Sequence, residues 1–230
     1  TEPNIPVEFQ QGLLQWVRGG GTLVTVTGAG AADRYDDPCA VLAEGLGLAE
    51  TPRERMFIAA PDALRDSGSG AAPQGRFTAF GPRGALVNAP QEGVLARFDD
   101  GAPAVIERRV GLGRVVHFTW MPGISYFKSS SGAKDRLPVG FSEGLRAMIL
   151  HPVRSAGVVP PVSPDCALVE APLLLSPKGA AVTLLNWNGE ALPRVTVTAR
   201  LPFAAQSVES VNRGKLAFQR TAQGVSFTLP

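Results

Sequence analysis

The residues from 13 to 38 constrain the fold more than any other stretch of this chain. An amphipathic segment ends at the glycine run 19–21, a β-branched segment follows over 22–27, and a glycine-rich, acidic loop comes next. Glycines end helices and β-branched residues favour strands, so the pattern predicts a helix joined to a strand by a short turn. Ligands of open α/β sheets usually bind beside loops that leave the carboxyl ends of strands. The loop after Thr27 is therefore the first candidate site.

Local signals assign further elements to the first 158 residues. A helix is expected to begin near Asn4 and Pro6, because proline in a first helical turn loses no hydrogen bond. The other predicted elements are a helix over 38–46, a strand over 56–58, a flexible loop over 67–74, strands over 94–98, 104–110 and 114–120, a loop over 122–134 and a helix over 141–150. Short turns separate the last three strands, which predicts an antiparallel meander.

The prolines Pro160, Pro161 and Pro164 mark the predicted domain boundary, with one domain over 1–158 and a second over 159–230. Six strand-like runs follow it, at 167–175, 181–186, 194–201, 207–211, 215–220 and 225–229. Short strands separated by turn residues at this spacing predict a small all-β sandwich. The first domain is expected to be α/β, although it starts with a helix where a doubly wound domain usually starts with a strand. An uncovered sheet edge of that kind would favour oligomerisation.

Three groups of short blocks carry a resemblance to a known family. They are WV (16–17), GGTLV (20–24), GAGA (28–31) and YDDP (35–38); GRVVHF (113–118) and MPGISY (121–126); and Gly179 with LLNW (184–187) and LPF (201–203). The first two groups resemble the glutamine-amidotransferase-like domain of bacterial glycoside hydrolases, which in beta-galactosidases is the trimerisation domain. The last group is similar to the small β domain that closes such chains. The resemblance implies an N-terminally incomplete, flavodoxin-like fold of the class I glutamine-amidotransferase type, followed by the β-sandwich.

Charge and cysteine content exclude several classes of function. The 22 basic and 20 acidic residues are interspersed, without the basic stripe that nucleic-acid binding needs. Cys39 and Cys166 stand too far apart in sequence to indicate a disulfide framework or a zinc cluster. No apolar run approaches the roughly 20 residues of a membrane helix, so no membrane partner is expected. We expect a soluble protein, either in the bacterial cytoplasm or secreted as part of a longer precursor.

Amidotransferase chemistry is not expected despite the resemblance. Such enzymes need a nucleophile on the sharp turn after the central strand, activated by a neighbouring histidine. Here Gly28, Ala29 and Gly30 occupy that turn, and Cys39 lies beyond it. Glycoside hydrolysis needs two facing carboxyl groups, and the resemblance places these in a separate barrel domain that is absent from this chain. The resemblance therefore implies the fold without the catalysis.

The acidic cluster Asp33, Asp36 and Asp37 offers the strongest local chemistry. Closely spaced carboxylates can share a hard cation such as calcium, and a bound metal can activate water. A metal-assisted hydrolase of an ester or lactone would use Asp33 and Asp36 with His117 as its catalytic groups. The competing interpretation is a solvated loop in which Asp33 caps a turn and Asp36 and Asp37 precede a helix. No cofactor is required under that interpretation.

His117, Trp120 and Tyr126 have two interpretations each. His117 lies among apolar strand residues, so a buried core histidine is favoured over a catalytic base. His151 is expected at a helix end. Trp120 and Tyr126 flank a proline-glycine turn, where packing against the core is favoured over an aromatic platform for a sugar.

These observations favour a carboxyl-terminal accessory or oligomerisation segment of a beta-galactosidase-like, glycoside-hydrolase-related protein. Its expected partners are further copies of itself or the remainder of a longer parent chain. The alternatives are a small metal-assisted hydrolase acting on an ester or lactone, and a carbohydrate-binding module. A cation held by the three aspartates would favour the hydrolase, and a flat aromatic shelf would favour sugar binding.

Overall fold

The computed structural model describes residues 3–51, 65–132, 138–222 and 224–230. The chain divides into two compact units. Unit 1 comprises Thr1–Ser130 and Phe141–Gly157, and unit 2 comprises Ser131–Gly140 and Val158–Pro230. The domain boundary between residues 158 and 159 stays a prediction.

A six-stranded sheet forms the centre of unit 1. Its strands are β1 Thr22–Val26, β2 Asp66–Ala72, β3 Gly75–Phe80, β4 Val94–Phe98, β5 Pro103–Val110 and β6 Gly113–Phe118. They lie in the order β1-β6-β5-β4-β2-β3. β1 and β6 run parallel with Thr25 opposite His117, whereas the other neighbours are antiparallel. The meander predicted for β4, β5 and β6 is confirmed.

Helices cover both faces of this sheet. Those of the described part of unit 1 are α1 Val7–Arg18, α2 Val41–Leu46, α3 Pro122–Lys128 and α4 Glu143–Ser155. Neighbouring residues of a strand point to opposite faces, and Val115 and Val116 accordingly belong to different cores. Val115 packs with α1 and α2, whereas Val116 packs with α4. The sheet is therefore buried from two sides.

The core beneath α1 and α2 is mainly apolar and has a buried glutamine beside it. Leu14 and Val17 of α1 meet Leu42 and Leu46 of α2 in this core. Gln10 is fully buried; its Nε2 donates to the Ile5 carbonyl at 2.8 Å and its Oε1 accepts from the Leu42 N–H at 2.9 Å. A buried amide is stable only when it is hydrogen-bonded, so Gln10 fixes α1 against the start of α2.

The segment 67–74 was predicted to be a flexible loop, and this prediction is wrong. Most of it belongs to β2, which pairs with β3 on one side and β4 on the other. At Gly70 the neighbours approach closely: a Cβ there would overlap the Phe77 ring and the Arg97 carbonyl. Composition indicated flexibility where the packing required small side chains.

Two predicted elements near the end of unit 1 also need correction. Residues 122–128 form α3 instead of a loop, with Pro122 in the first turn, where a missing N–H costs nothing. α4 begins at Glu143, where the Ser142 hydroxyl caps the Leu145 N–H, and continues through Pro152 to Ser155. The strand predicted over 56–58 lies outside the described residues, as does part of the loop predicted over 122–134.

Unit 2 consists of short antiparallel strands with a core of their own. The strands are β7 Val162–Pro164, β8 Val169–Glu170, β9 Leu173–Ser176, β10 Gly179–Val182, β11 Leu185–Asn186, β12 Val195–Ala199, β13 Glu209–Ser210, β14 Gly214–Lys215, β15 Phe218–Thr221 and β16 Gly224–Leu229. The largest sheet has the order β15-β16-β12-β7, and three two-stranded sheets accompany it. Val162, Val197 and Val225 are central to the core.

The finer fold assignments stay predictions. One parallel strand pair in a six-stranded sheet and several small antiparallel sheets are compatible with a flavodoxin-like domain and a sandwich, without deciding either. Within the described residues, no helix has the length and apolar character needed to cross a membrane.

Candidate functional site

A buried hydrogen-bond network lies at the carboxyl end of the parallel pair β1 and β6. Glu50, which follows α2 in the chain, reaches this point. Its Oε1 lies 3.3 Å from His117 Nε2, and its Oε2 accepts from the Thr27 hydroxyl at 3.0 Å and the Gly28 N–H at 2.9 Å. On the other side of the ring, His117 Nδ1 lies 2.9 Å from the Thr25 hydroxyl. The network joins both strands to two loops.

The partners of Glu50 determine where the protons of the network lie. An ionised carboxylate only accepts, so His117 Nε2 donates to Glu50. Burial would raise the pKa of Glu50, but the hydrogen bond and charge of His117, with the bonds from Gly28 and Thr27, bring the pKa below its ordinary value of 4.5. Glu50 is therefore held as a carboxylate.

The order hydroxyl, imidazole and carboxylate matches the order in hydrolase triads, but the hydroxyl is inaccessible. Thr25 and His117 are only 8% and 5% exposed. Thr25 also lies within a strand, not on a sharp turn that would present its oxygen to a substrate. A substrate cannot reach this nucleophile. The network instead holds the loop after β1 and the loop after α2 against the sheet.

The backbone around the network is closely fitted. Gly84 is buried against it, and a Cβ at this position would overlap the Glu50 carboxylate and the Thr27 hydroxyl. The Gly84 N–H donates to the Thr119 carbonyl at 2.6 Å. Sequence reasoning missed Glu50 because no local motif marks it: its partner His117 lies 67 residues away.

The turn after β1 offers no nucleophile. Gly28 and Gly30 have positive φ of 76° and 66°, and a Cβ on Gly30 would press on Gln10 and Leu42. Cys39 was expected on the following helix but precedes α2, with its N–H donating to the Ala31 carbonyl at 3.0 Å.

The three aspartates form a turn. Asp33 Oδ1 accepts from the N–H groups of Tyr35 at 2.8 Å and Asp37 at 3.1 Å, and Asp36 Oδ1 accepts from the Asn4 side chain at 2.7 Å. Asp36 has a φ of 76°, a conformation that aspartate tolerates in turns. Across the residues that the structure describes, no group of three His, Cys, Asp or Glu side chains is arranged to hold a metal ion. Asp33 therefore caps its own turn, whereas α2 begins only at Val41, so Asp36 and Asp37 lie outside its first turn.

The substrate-binding role predicted for Trp120 needs correction. Trp120 is completely buried, and its ring stacks on Phe77 with centroids 4.8 Å apart and planes 7° apart. Its Nε1 donates to the Ser125 hydroxyl at 3.0 Å. An indole with no exposed face cannot stack on a sugar, so Trp120 is a core residue.

Tyr126 is half-buried and stacks on Phe141, with centroids 4.9 Å apart. Its hydroxyl is buried and finds no hydrogen-bond partner among the described residues. A groove of about 350 Å³ lies nearby in unit 1, lined by Arg76, Phe80, Ser125, Lys128 and six further residues with no acid among them. The described lining of this groove does not include the pair of carboxyl groups that most glycoside hydrolases use.

His151 lies inside α4, not at its end as expected. Its Nε2 is 2.9 Å from Glu107 Oε2, and Glu107 Oε1 also accepts from Arg114 at 3.2 Å. This surface pair connects α4 with β5 and β6.

Comparison with known proteins locates the fold among large carbohydrate-active enzymes. No protein-family model matches the chain, and no curated protein matches it. Solved structures do. The beta-galactosidase from Bacillus circulans sp. alkalophilus superposes with a TM-score of 0.63 at 16% identity, covering 97% of this chain and 31% of that protein. A GH42 beta-galactosidase from G. stearothermophilus gives a TM-score of 0.62 at 16% identity, covering 99% of this chain and 29% of that one.

A third neighbour has a different activity in its name. The alpha-L-fucosidase isoenzyme 2 from Paenibacillus thiaminolyticus superposes with a TM-score of 0.52 at 15% identity, covering all of this chain and 38% of that protein. At such identities the likeness establishes a shared fold. The chain spans about a third of the length of the enzymes that it resembles.

Proposed function

We propose that this chain is a carboxyl-terminal accessory segment of a larger glycoside-hydrolase-related protein, in which it supports assembly and performs no chemistry itself. One observation carries the proposal: nearly the whole chain superposes on 29–31% of beta-galactosidases whose remaining residues have no counterpart here. A segment that matches these enzymes over nearly its whole length, yet covers only about a third of theirs, fits a supporting role.

The chemistry of the described residues supports the same role. The one hydroxyl aligned with an imidazole and a carboxylate is buried, and Asp33 uses its carboxylate to hold its own turn. The polar side chains of the buried network hydrogen-bond to one another; they are Glu50, His117, Thr25 and Thr27. Groups satisfied in this way stabilise a scaffold.

The experiment compares three proteins: the full-length parent chain, the parent lacking this segment, and the 230-residue chain alone. Each is assayed on nitrophenyl glycosides, esters and lactones, with and without chelator, and its mass is measured by light scattering. We expect glycosidase turnover from the full-length chain, none from the 230-residue chain, and a smaller assembly after deletion.

Two results would overturn the proposal. The first is a parent chain without activity on any glycoside. The second is ester or lactone turnover by the short chain that chelator suppresses and Asp36→Ala abolishes, which would establish a metal-assisted hydrolase. Glu190→Ala is the matched control, because it removes an exposed carboxyl group far from the aspartate loop in sequence.

A further inference from the structure

No strand pairs with the outer edge of β1 within residues 3–51, 65–132, 138–222 and 224–230. Among the described residues β1 is the last strand of its sheet and pairs with β6 alone. The Thr27 N–H donates to the Phe118 carbonyl at 2.8 Å, towards β6. Because N–H groups alternate sides along a strand, those of Val24 and Val26 point away from β6. Val24 is also 46% exposed.

This edge lacks the usual protection against strand pairing. Exposed edges carry lysine, proline, bulges or very short strands. β1 has the sequence TLVTV, with no charge and no proline, and its register with β6 is continuous over five residues. Parallel strands are normally buried within a sheet. β1 therefore has the composition of an inner strand at an outer position.

Helix α1 continues the same uncovered surface. Besides its buried residues it carries Phe9, Gly12, Leu13 and Trp16, at the spacing i, i+3, i+4 and i+7 that forms one helical stripe. Phe9 and Trp16 are 68% and 54% exposed. We call these four residues the α1 stripe.

The α1 stripe lies on the flank of α1 above the free edge. Leu14 points towards α2, because a Cβ on Gly45 of α2 would overlap it. Trp16 is about 160° away from Leu14 around the helix at 3.6 residues per turn. Its ring covers Gly21, directly before β1. The stripe thus faces away from α2, beside the outer edge of β1.

We propose that the β1 edge and the α1 stripe together receive an extended apolar segment of the parent chain, which adds a seventh strand beside β1. This inference rests on the proposed function, because the parent chain supplies the strand. Main-chain hydrogen bonds to Val24 and Val26 would give the affinity, and apolar side chains against Phe9, Leu13 and Trp16 would fix the register. About two thirds of a chain of the size of the solved relatives lies outside these residues, which favours the parent chain over a second copy.

The test uses Val24→Lys in both the 230-residue chain and the full-length parent. In the short chain a lysine at a half-exposed edge position is expected to leave the melting temperature unchanged. In the parent it is expected to lower the melting temperature by about 4 °C or more, because the charge is buried under the added strand. Val211→Lys is the matched control, since Val211 is fully exposed and should be neutral in both proteins.

Hydrogen exchange gives an independent readout. We expect the Val24 and Val26 amides to exchange at least about tenfold more slowly in the parent than in the short chain. Equal exchange and equal melting shifts in the two proteins would overturn the proposal. So would a dimer of the short chain that Val24→Lys dissociates, because a second copy would then be the occupant. Protection of β1 in a parent without glycosidase activity would retain this inference and overturn only the proposed function.

Discussion

At the scale of single residues, the Glu50 network shows how one carboxylate can organise a site without catalysis. Glu50 accepts from Thr27, Gly28 and His117, which belong to two parallel strand ends. Desolvation of the carboxylate is offset only because all three donors are present. The loss of one partner therefore leaves a buried polar group unpaired, which costs more than the hydrogen bond alone.

Glu50→Gln tests this role through its pH dependence. The pKa of Glu50 is lowered in the folded protein, so its stabilisation is present above pH 4.5 and is lost as the pH falls through the lower folded pKa. We expect Glu50→Gln to lower the free energy of unfolding by about 1–3 kcal/mol at pH 7. Below pH 4.5 the free energy of unfolding of the variant should fall less steeply with pH than that of the unsubstituted chain. Urea unfolding across pH measures both effects. The control is Glu92→Gln, at an exposed carboxyl group, which should change neither the stability at pH 7 nor its pH dependence. Identical plots of stability against pH for the two variants would refute the stabilising role of Glu50.

At the scale of elements, α1 has two apolar faces with different partners. The face of Leu14 and Val17 packs on the sheet, whereas Phe9 and Trp16 of the α1 stripe are exposed in the described chain. Gly12 lies within the stripe, and a Cβ there would meet no atom within 4 Å. The glycine is therefore not required by any contact that the structure describes.

Gly12→Ala is expected to stabilise the 230-residue chain by about 0.5–1 kcal/mol, because alanine has the higher helix propensity. The comparison variant is Gly45→Ala in α2, where the new methyl group would overlap Leu14 and should destabilise the chain. Denaturant unfolding of both variants is the measurement. A destabilising Gly12→Ala would mean that α1 is packed more closely on this side than described.

At the scale of the whole molecule, each unit has its own hydrophobic core. Unit 1 is built around Trp120, Phe118 and the residues beneath α1, and unit 2 around Val162, Val197 and Val225. Separate cores are the basis for expecting separate folding units.

Val197→Ala tests this independence. Val197 is fully buried, so the truncation should destabilise unit 2 by about 2 kcal/mol. We expect faster hydrogen exchange at amides of β12 and β16 with unchanged exchange in β5 and β6. Val211→Ala, at an exposed position, should change neither set. Acceleration in both units would show that they unfold as one.

The amino-acid sequence by itself determined the elements whose signals are local. Glycine runs, β-branched segments and proline positions were sufficient for α1, β1 and the β4 to β6 meander, because turn chemistry and side-chain period act over a few residues. The absence of a nucleophile among Gly28, Ala29 and Gly30 could also be read directly. The small residues of β2 predicted a flexible loop instead of a strand, because flexible loops and closely packed strands favour the same amino acids.

Only the tertiary structure decided which polar groups meet. Glu50 and His117 lie 67 residues apart, and no pattern in either segment indicates the pairing. The burial of Trp120 and the position of β1 at the end of the described sheet likewise depend on strand order, which follows from long-range packing. Contacts between distant segments are selected by the free energy of the whole fold, so local sequence cannot specify them.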